Sequence, residues 1–420
     1  MGSFKTYGFY TAILLLLVLD SNNLAAQPLS LDSCYAHALK NYPLINQYEL
    51  IEKTKEYTLS NASKAYLPQV SVTGIAGYII GGFPLGGENS DDFKLIGLAQ
   101  LNQTIWDGGA TKAQKEIIAA TAESEKASLE VSLFELRERV NQLYFGILMI
   151  DEQLVQIDQQ DKVLENNAKR IKELNESGLA FKTDLQEIQV EQLKLKQQKT
   201  EFTYTRNGYL QMLALFTGLD VDHTTQFERP TQSDLPPDLP MIRPELSMFQ
   251  SQRNLAEAQA KMQRVSLMPK IGVLGAGVFL YPEIGLGESS MSSLGVIGLS
   301  TSWSISGLYK NSNEKNLSQL TLNKINVQEQ TFRVNNDLQT TQTRASIEKQ
   351  KAVLAEDDEI VKLRTSIREG YQLKYDNGMC SMLDLLDATE KESQAASQKS
   401  LHEMQLLMSI YEYKTQTGNK

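Results

Sequence analysis

The chain has few of the residues that build metal centres and disulfide frameworks. Its 420 residues include two cysteines and three histidines. Cys34 and Cys380 are too few for a disulfide framework, and no bridge is expected because they fall in distant parts of the predicted fold. His37, His223 and His402 show no ligand spacing, so the sequence predicts no metal site and no cofactor.

Sequence motifs for catalysis are missing as well. Gly275-Ala276-Gly277 lacks the third glycine of a dinucleotide site, and the pairs Gly81-Gly82 and Gly86-Gly87 lack the Lys-Ser/Thr of a phosphate loop. A formal net charge of −10 gives no support to nucleic-acid binding, which usually requires a basic face. The chain is therefore expected to be neither an enzyme nor a nucleic-acid-binding protein.

Long apolar runs are confined to the N-terminus. Residues 12–19 are apolar, follow Lys5 and precede the small residues Ala25-Ala26, a pattern typical of a secretory signal peptide spanning residues 1–26. Because Gln27 and not a cysteine follows, no acyl anchor is expected. No later segment approaches the ~20 apolar residues of a membrane-crossing helix.

The sequence contains an internal duplication with an offset of about 200 residues. Gly178 to Leu185 is similar to Gly378 to Leu385, and Thr217-Gly218 returns as Thr417-Gly418. A period this long indicates a duplicated supersecondary unit. The predicted organisation is a first repeat at 27–218 with a β-hairpin at about 68–105, a Pro-rich linker at 219–243, and a second repeat at 244–420 with a β-hairpin at about 269–305.

Helical periodicity is strongest after residue 129. Apolar residues recur there at alternating steps of four and three, a heptad pattern that predicts long, supercoiled helices. Its members are Leu133, Leu136, Val140, Leu143, Ile147, Ile150, Leu154, Ile157, Leu164, Ala168 and Ile171. A second helix should run from Thr183 to about Phe216, with Met212 among its apolar members, and the second repeat predicts helices at about 309–375 and 381–415. At 1.5 Å per residue the longer helices would reach about 100 Å.

Two strand-like stretches precede the long helices of each repeat, at 70–78 and 93–102 and at 270–281 and 291–305. Their length, alternation and aromatic ends are typical of transmembrane strands, with a soluble hairpin as the alternative. Four strands cannot close a barrel, and open edges in lipid would leave backbone groups unsatisfied. Several copies must therefore pool strands, and a trimer would supply about twelve.

The sequence contains four further motifs: Ala65-Tyr66-Leu67-Pro68, Trp106-Asp107-Gly108-Gly109, Tyr375-Asp376-Asn377-Gly378 and Leu383-Asp384-Leu385-Leu386-Asp387-Ala388. Together these motifs resemble the TolC family of outer-membrane channel proteins. The resemblance implies a mainly α fold with transmembrane β-hairpins. Duplicated long-helix hairpins would form a trimeric α-barrel in the periplasm, and four strands per subunit would complete a β-barrel in outer-membrane lipid of a Gram-negative bacterium. It also implies an export duct of a tripartite efflux or type I secretion system, receiving cargo from a periplasmic adaptor and an inner-membrane pump of RND or ABC type.

The resemblance assigns functional residues to the tips of the hairpins. Asp384 and Asp387 match two aspartates that ring the periplasmic aperture in relatives, where three subunits would place six carboxylates around a constriction and attract cations. The alternative is that they are first-turn acids favoured by the helix macrodipole, and the spacing does not separate the two interpretations.

Further tip residues are the turn glycines Gly178 and Gly378 and two candidates for an aperture latch, Asp184 and Tyr375. The chain departs from the family at Cys380, where a basic latch residue is expected, so that ion pair cannot form.

Two other functions compete with the duct. A periplasmic adaptor also has long helical hairpins, but it generally contains one hairpin and a lipoyl-like β module, whereas this chain has two equivalent hairpins. A secreted coiled-coil scaffold would be fully soluble without detergent. The duplication favours the duct, and the sequence leaves drugs, metal ions and polypeptides open as cargo.

Overall fold

The computed structural model describes residues 28–78, 93–178, 180–231, 239–281 and 292–419. The predicted signal peptide lies outside these residues. None of the helices within them has both the length and the hydropathy of a helix that crosses a membrane.

The described chain is mainly helical with two strand hairpins, as the sequence predicts. In chain order the elements are α1 Leu31–Asn41, α2 Gln47–Ser63, β1 Gln69–Tyr78, β2 Phe93–Trp106, α3 Ala110–Glu176, α4 Lys182–Thr217, α5 Pro244–Val265, β3 Lys270–Tyr281, β4 Ser292–Ser302, α6 Gly307–Asp376 and α7 Met382–Thr417. Short 3-10 turns at Pro43–Asn46 and Lys64–Tyr66 flank α2. Each strand lies where the sequence predicts one, with ends that differ by up to four residues.

The chain divides into two compact units. The strand unit comprises the described residues within Asn46–Val131 and Pro244–Val334, and the helical unit comprises those within Met1–Ile45, Ser132–Arg243 and Asn335–Lys420. Each unit takes residues from both predicted repeats. The division therefore follows the type of structure and not the duplication, and the repeat boundaries stay a prediction.

The strand unit contains one four-stranded antiparallel sheet in the order β1-β2-β3-β4. Residue 69 pairs with 102 across the first hairpin and residue 270 with 302 across the second, while a register irregularity between Thr104 and Trp106 interrupts the β2–β3 pairing. Every residue of β1 is exposed. β1 and β4 are the edges of this sheet, and each presents unpaired backbone groups along its outer side.

Two of the motifs that carry the family resemblance meet where β2 passes into α3. The buried Asp107 accepts hydrogen bonds from Tyr66 Oη at 2.9 Å, from Gly109 N at 2.9 Å and from Thr111 N at 2.6 Å. Burial acts to raise the pKa of this carboxyl, but the hydrogen bonds from Thr111, Tyr66 and Gly109 outweigh it and lower the pKa to about 2. Asp107 thus caps the first turn of α3 and ties it to the end of the 3-10 turn before β1.

The predicted heptad seam of α3 is the core of the helical unit. All of its members are buried except Leu154 and Ala168, which are half-buried. Around Tyr144 and Phe145 it contacts α1 through Cys34, α4 through Leu213 and α7 through Met404. Each such buried side chain contributes about 1.5–3 kcal/mol through removal of apolar area from water. Met212 differs from the prediction, since it is 41% exposed while Leu210 and Leu213 are buried.

Candidate functional site: the tips of the helical hairpins

Glycine in the left-handed conformation ends the long helix of each hairpin. Gly178 has φ 77° and Gly378 has φ 69°. At the second tip, Gly378 N donates to Tyr375 O at 3.0 Å and Met379 N donates to Lys374 O at 2.8 Å. This is the bond pattern of a Schellman cap, in which a residue without Cβ adopts positive φ at no steric cost. The glycines therefore lie at the two turns where the sequence predicts them.

The next helix of each hairpin begins with an acid at its third position. Ser381 is the N-cap of α7, and Asp384 Oδ2 accepts from Ser381 N at 2.9 Å and from Ser381 Oγ at 2.6 Å. These bonds to Ser381 lower the pKa of Asp384. In the first repeat, Asp184 Oδ2 accepts from Phe181 N at 3.1 Å. Both aspartates satisfy a backbone donor that a helix start leaves free.

Asp387 has a different local partner. It is exposed, and its Oδ2 lies 2.6 Å from Lys391 Nζ one turn further along α7. Asp384 and Asp387 are three residues apart, so their exposed side chains share one side of the helix start. The structure of one chain accounts for Asp384 as a helix-capping acid. The aperture ring needs several copies, and it stays a prediction.

The two latch candidates lie within electrostatic range of each other. Tyr375 is partly buried, and burial raises its pKa, with the negative charge of Asp184 adding to the effect and the positive charge of Arg170 opposing it. No hydrogen bond joins Tyr375 to Asp184 within the described residues. Tyr375 and Leu185, the residue that follows Asp184, pack against the same apolar cluster, and the latch itself stays a prediction.

A basic residue that sequence reasoning missed lies beside this pair. Arg170 Nη1 in α3 is 2.7 Å from Asp376 Oδ1 at the end of α6. The pair therefore links helices of the two repeats inside one chain. Cys380, where a basic residue was expected, instead directs Sγ to Tyr371 O at 3.6 Å. The pKa of the Cys380 thiol is raised by burial and by the negative charge of Asp384.

An apolar cluster lies beneath these polar groups and joins all four helices of the tips. Its buried members are Ile157, Leu164 and Ile171 of α3, Ile188 and Leu195 of α4, and Met382, Leu385 and Leu386 of α7, and Tyr371 and Tyr375 of α6 pack against it. Because the first turn of α7 is inserted among α3 and α4, the position of Asp384 and Asp387 is fixed by packing with the first repeat.

The duplicated helices α3 and α6 differ in the side chains of their seams. At an offset of 200, Leu136, Leu143, Ile150 and Ile157 of α3 correspond to Asn336, Thr343, Gln350 and Asp357 of α6, and all eight are buried. Gln350 Nε2 donates to Gln405 Oε1 at 2.9 Å, and His402 Nδ1 lies 2.6 Å from Asp357 Oδ2. Polar contacts therefore hold α6 to α7 at positions where the equivalent residues of α3 are apolar. Comparing the two repeats position by position would have found this signal in the sequence.

The described residues contain no group of three or more His, Cys, Asp or Glu side chains arranged to hold a metal ion.

The chain has two hairpins of long helices, and a strand hairpin that belongs to one four-stranded sheet precedes each of them. This arrangement is the TolC-like fold, and it confirms the resemblance at the level of the fold. Among solved structures the chain is similar to the outer-membrane channel OprN, with 15% identity, 93% of this chain and 90% of that chain covered, and a TM-score of 0.69. It is also similar to the Campylobacter jejuni CmeC outer membrane channel (15% identity, 92% and 85% covered, TM-score 0.68) and to the outer membrane protein VceC of Vibrio cholerae (13% identity, 93% and 96% covered, TM-score 0.68). No protein-family model and no curated protein sequence matches the chain.

Proposed function

We propose that the protein is an outer-membrane export channel. In this proposal it is the duct of a tripartite efflux or type I secretion system, and it passes cargo from a periplasmic adaptor and an inner-membrane pump to the exterior. The observation that carries the proposal is the four-stranded sheet, open at both edges, whose strands lead directly into long helices. The similar structures OprN and CmeC are described as outer-membrane channels, which supports it.

The side chains of the edge strands suit a lipid environment. Val70 and Val72 of β1 and Ile297 and Leu299 of β4 are 69%, 77%, 75% and 81% exposed in the single chain. Such a surface is unfavourable in water, at about 25 cal/mol for each Å² of apolar area. In hydrocarbon the apolar side chains are at no disadvantage, but each unpaired backbone group costs several kcal/mol.

Closing the sheet into a barrel with further copies of the chain removes the cost of the unpaired backbone groups. All neighbouring strands in the sheet are antiparallel, so β4 of one copy can pair with β1 of the next and continue the alternation around a ring. Three copies give about twelve strands, within the range of closed membrane barrels. The proposed assembly is therefore a homotrimer in outer-membrane lipid, with the long helices in the periplasm.

The acids at the second hairpin tip have a role in this assembly. Three copies of Asp384 and Asp387 would place six carboxylates around the periplasmic entrance and favour cations there. Asp184 and Tyr375 of each copy would contribute to keeping the entrance closed. In this proposal the protein carries out no catalytic step, and a signal peptide at residues 1–26 would direct its export.

The first test is the mass and the planar-bilayer conductance of one detergent-purified preparation of the mature protein. A trimer with discrete, cation-selective conductance steps is expected. A monomer that is soluble without detergent and shows no conductance would contradict the proposal and leave the periplasmic adaptor or the coiled-coil scaffold.

The entrance acids are tested in the same bilayers. Asp384→Asn with Asp387→Asn removes both charges. The asparagine introduced at the third position of α7 keeps an amide oxygen that accepts from the N-cap backbone, so helix capping is largely retained. Reduced cation selectivity and weaker block by divalent cations are expected. Glu359→Gln, which removes one exposed charge from a different helix, α6, is the control and should leave both the selectivity and the block unchanged. Wild-type selectivity in the double variant would rule out the ring.

A further inference from the structure

The side chains of the four-stranded sheet are divided between two faces, because successive residues of a strand point to opposite sides and paired residues share a side. One face contains the odd-numbered residues of β3, from Ile271 to Tyr281, and the residues that pair with them. Val72 of β1 and Leu299 of β4 belong to it, and it is called the apolar face. The other face contains the even-numbered residues of β3 from Lys270 onward, with their partners, and is called the Lys270 face.

Aromatic side chains lie at both ends of the apolar face. Tyr78, Phe279 and Tyr281 are exposed at the strand ends away from the helices, and Trp106, which pairs with Ile271, is exposed at the helix end. From Ile271 to Tyr281 the strand spans about 33 Å, which at a tilt of about 40° gives a height of about 25 Å. An apolar band of this height between two aromatic girdles is the surface that a membrane barrel turns toward lipid.

The Lys270 face is mostly polar in the half nearest the helices, as the lumen side of such a barrel is. Further from the helices it carries apolar side chains such as Leu98 and Val278. Lys270 itself is exposed and pairs with Ser302 in the backbone ladder. The polar members of this half are Gln69, Ser71, Gln100, Asn102, Ser300 and Ser302.

Lys270 has no countercharge in the sheet. None of the four strands, within the bounds given for them, contains an aspartate or a glutamate. Lys270 has no ion-pair partner among the described residues. On the apolar face a lysine at this level would extend toward lipid headgroups. The pairing with Ser302 instead places Lys270 on the side away from lipid.

We propose that Lys270 is a selectivity-determining residue of the channel, and that its three copies form a positive ring in the lumen of the β-barrel. The inference rests on the proposed function, because the ring exists only in the closed trimer. Rings of basic side chains make a pore favour anions and phosphate-bearing solutes. The sign is opposite to the one proposed for Asp384 and Asp387, so the strand part of the duct favours anions.

The dimensions of a twelve-stranded barrel set the size of the effect. Strands about 4.8 Å apart and tilted by about 40° give a backbone diameter of about 24 Å. The three ammonium groups then lie within about 10 Å of the axis, which is one Debye length at about 0.1 M salt. Three such charges in water change the concentration of a monovalent ion on the axis about twofold, in opposite directions for cations and anions.

Lys270→Gln tests the charge in planar bilayers. The cation-to-anion permeability ratio, measured from the reversal potential in a KCl gradient, should rise up to about fourfold near 0.1 M salt and change little near 1 M. Tripolyphosphate carries several negative charges and should block the wild type. The variant should require an about tenfold higher concentration of tripolyphosphate for the same block.

Cysteine substitution tests the assignment of the two faces. In a Cys380→Ser background, where the remaining Cys34 is fully buried, Lys270→Cys is compared with its neighbour on the apolar face, Ile271→Cys. A methanethiosulfonate reagent that attaches a sulfonate to Lys270→Cys should raise the cation-to-anion ratio above that of Lys270→Gln. The reagent that attaches an aminoethyl group should restore the wild-type ratio. Neither reagent should change the ratio of Ile271→Cys, whose thiol faces lipid.

The outcomes separate the inference from the proposed function. Conducting trimers with the same selectivity in Lys270→Gln and the wild type, or reagents that act through Ile271→Cys and not through Lys270→Cys, would overturn the ring and leave the channel standing. The reagents act on assembled trimers, so this comparison does not depend on the folding of Lys270→Gln. A wild-type protein without trimers or conductance would overturn both.

Discussion

Asp107→Asn is expected to loosen the first turn of α3, and the size of the effect follows from the hydrogen bonds that Asp107 accepts. Lowering a pKa from the ordinary 3.8 to about 2 corresponds to a preference of about 2.5 kcal/mol for the charged carboxylate in the folded protein. Asparagine keeps one acceptor oxygen, but its amide nitrogen would face Thr111 N, which is also a donor. The expected loss is therefore about 2 kcal/mol, or about thirtyfold in the opening equilibrium of this turn.

Hydrogen exchange measured by mass spectrometry on a peptide covering residues 108–114 reports the opening equilibrium of the first turn of α3 directly. At pH 7 the variant should exchange about thirtyfold faster than the wild type in this peptide. Because the folded-state pKa is lowered, the stabilisation is present above the ordinary pKa near 4 and is lost as the pH falls toward 2. The wild type should therefore lose this protection between pH 4 and pH 2, while the variant changes little. Asp161→Asn, an exposed site on the same helix, is the control. Equal exchange of the peptide in Asp107→Asn and wild type would refute the reasoning.

Two further predictions concern the hairpins and the thiols. Gly378→Ala should lower the free energy of unfolding, measured by circular dichroism in denaturant, by about 1 kcal/mol, because φ is 69° although a Cβ would meet no atom within 4 Å. Gly370→Ala, inside α6 and also in open space, should raise it by up to about 1 kcal/mol, and the same sign for both would contradict the explanation. Cys380 should react with a maleimide in the folded protein, whereas Cys34, fully buried with a pKa raised by burial to about 12, should react only after denaturation. Equal labelling rates followed by mass spectrometry would refute the difference.

The sequence was sufficient to predict the elements in which apolar residues recur with a strict period. The heptad of α3 predicted the buried side of a helix of 67 residues, because an apolar residue at every third or fourth position leaves one choice of face. At the end of α4 the pattern failed, since apolar residues stand at 209, 210, 212, 213, 215 and 216 and any of several faces fits. There the contacts with α1 and α7 decide, and they bury Leu210 and Leu213 in place of Met212.

At the hairpin tips, the sequence predicted the local motifs but not the contacts between residues that are distant in the chain. The turn glycines and the acid at the third helical position are signalled by their immediate neighbours. Arg170 and Asp376 lie in different repeats, and their contact depends on the register in which the two hairpins pack. The single sequence contains no signal for that register.

The seam of α6 is polar and the seam of α3 is apolar, so water affects the separation of the helices differently in the two hairpins. Parting helices along an apolar seam exposes surface that water solvates poorly, so the contact is lost cooperatively and at high cost. Gln350 and Asp357 can exchange their bonds to α7 for bonds to water, at a net cost of about 0.5–1.5 kcal/mol for the neutral pair of glutamines and about 1.5–3 kcal/mol for a bond to a charged group such as a carboxylate. The second hairpin can therefore be hydrated one layer at a time, whereas the apolar seam of α3 has no such intermediate stages.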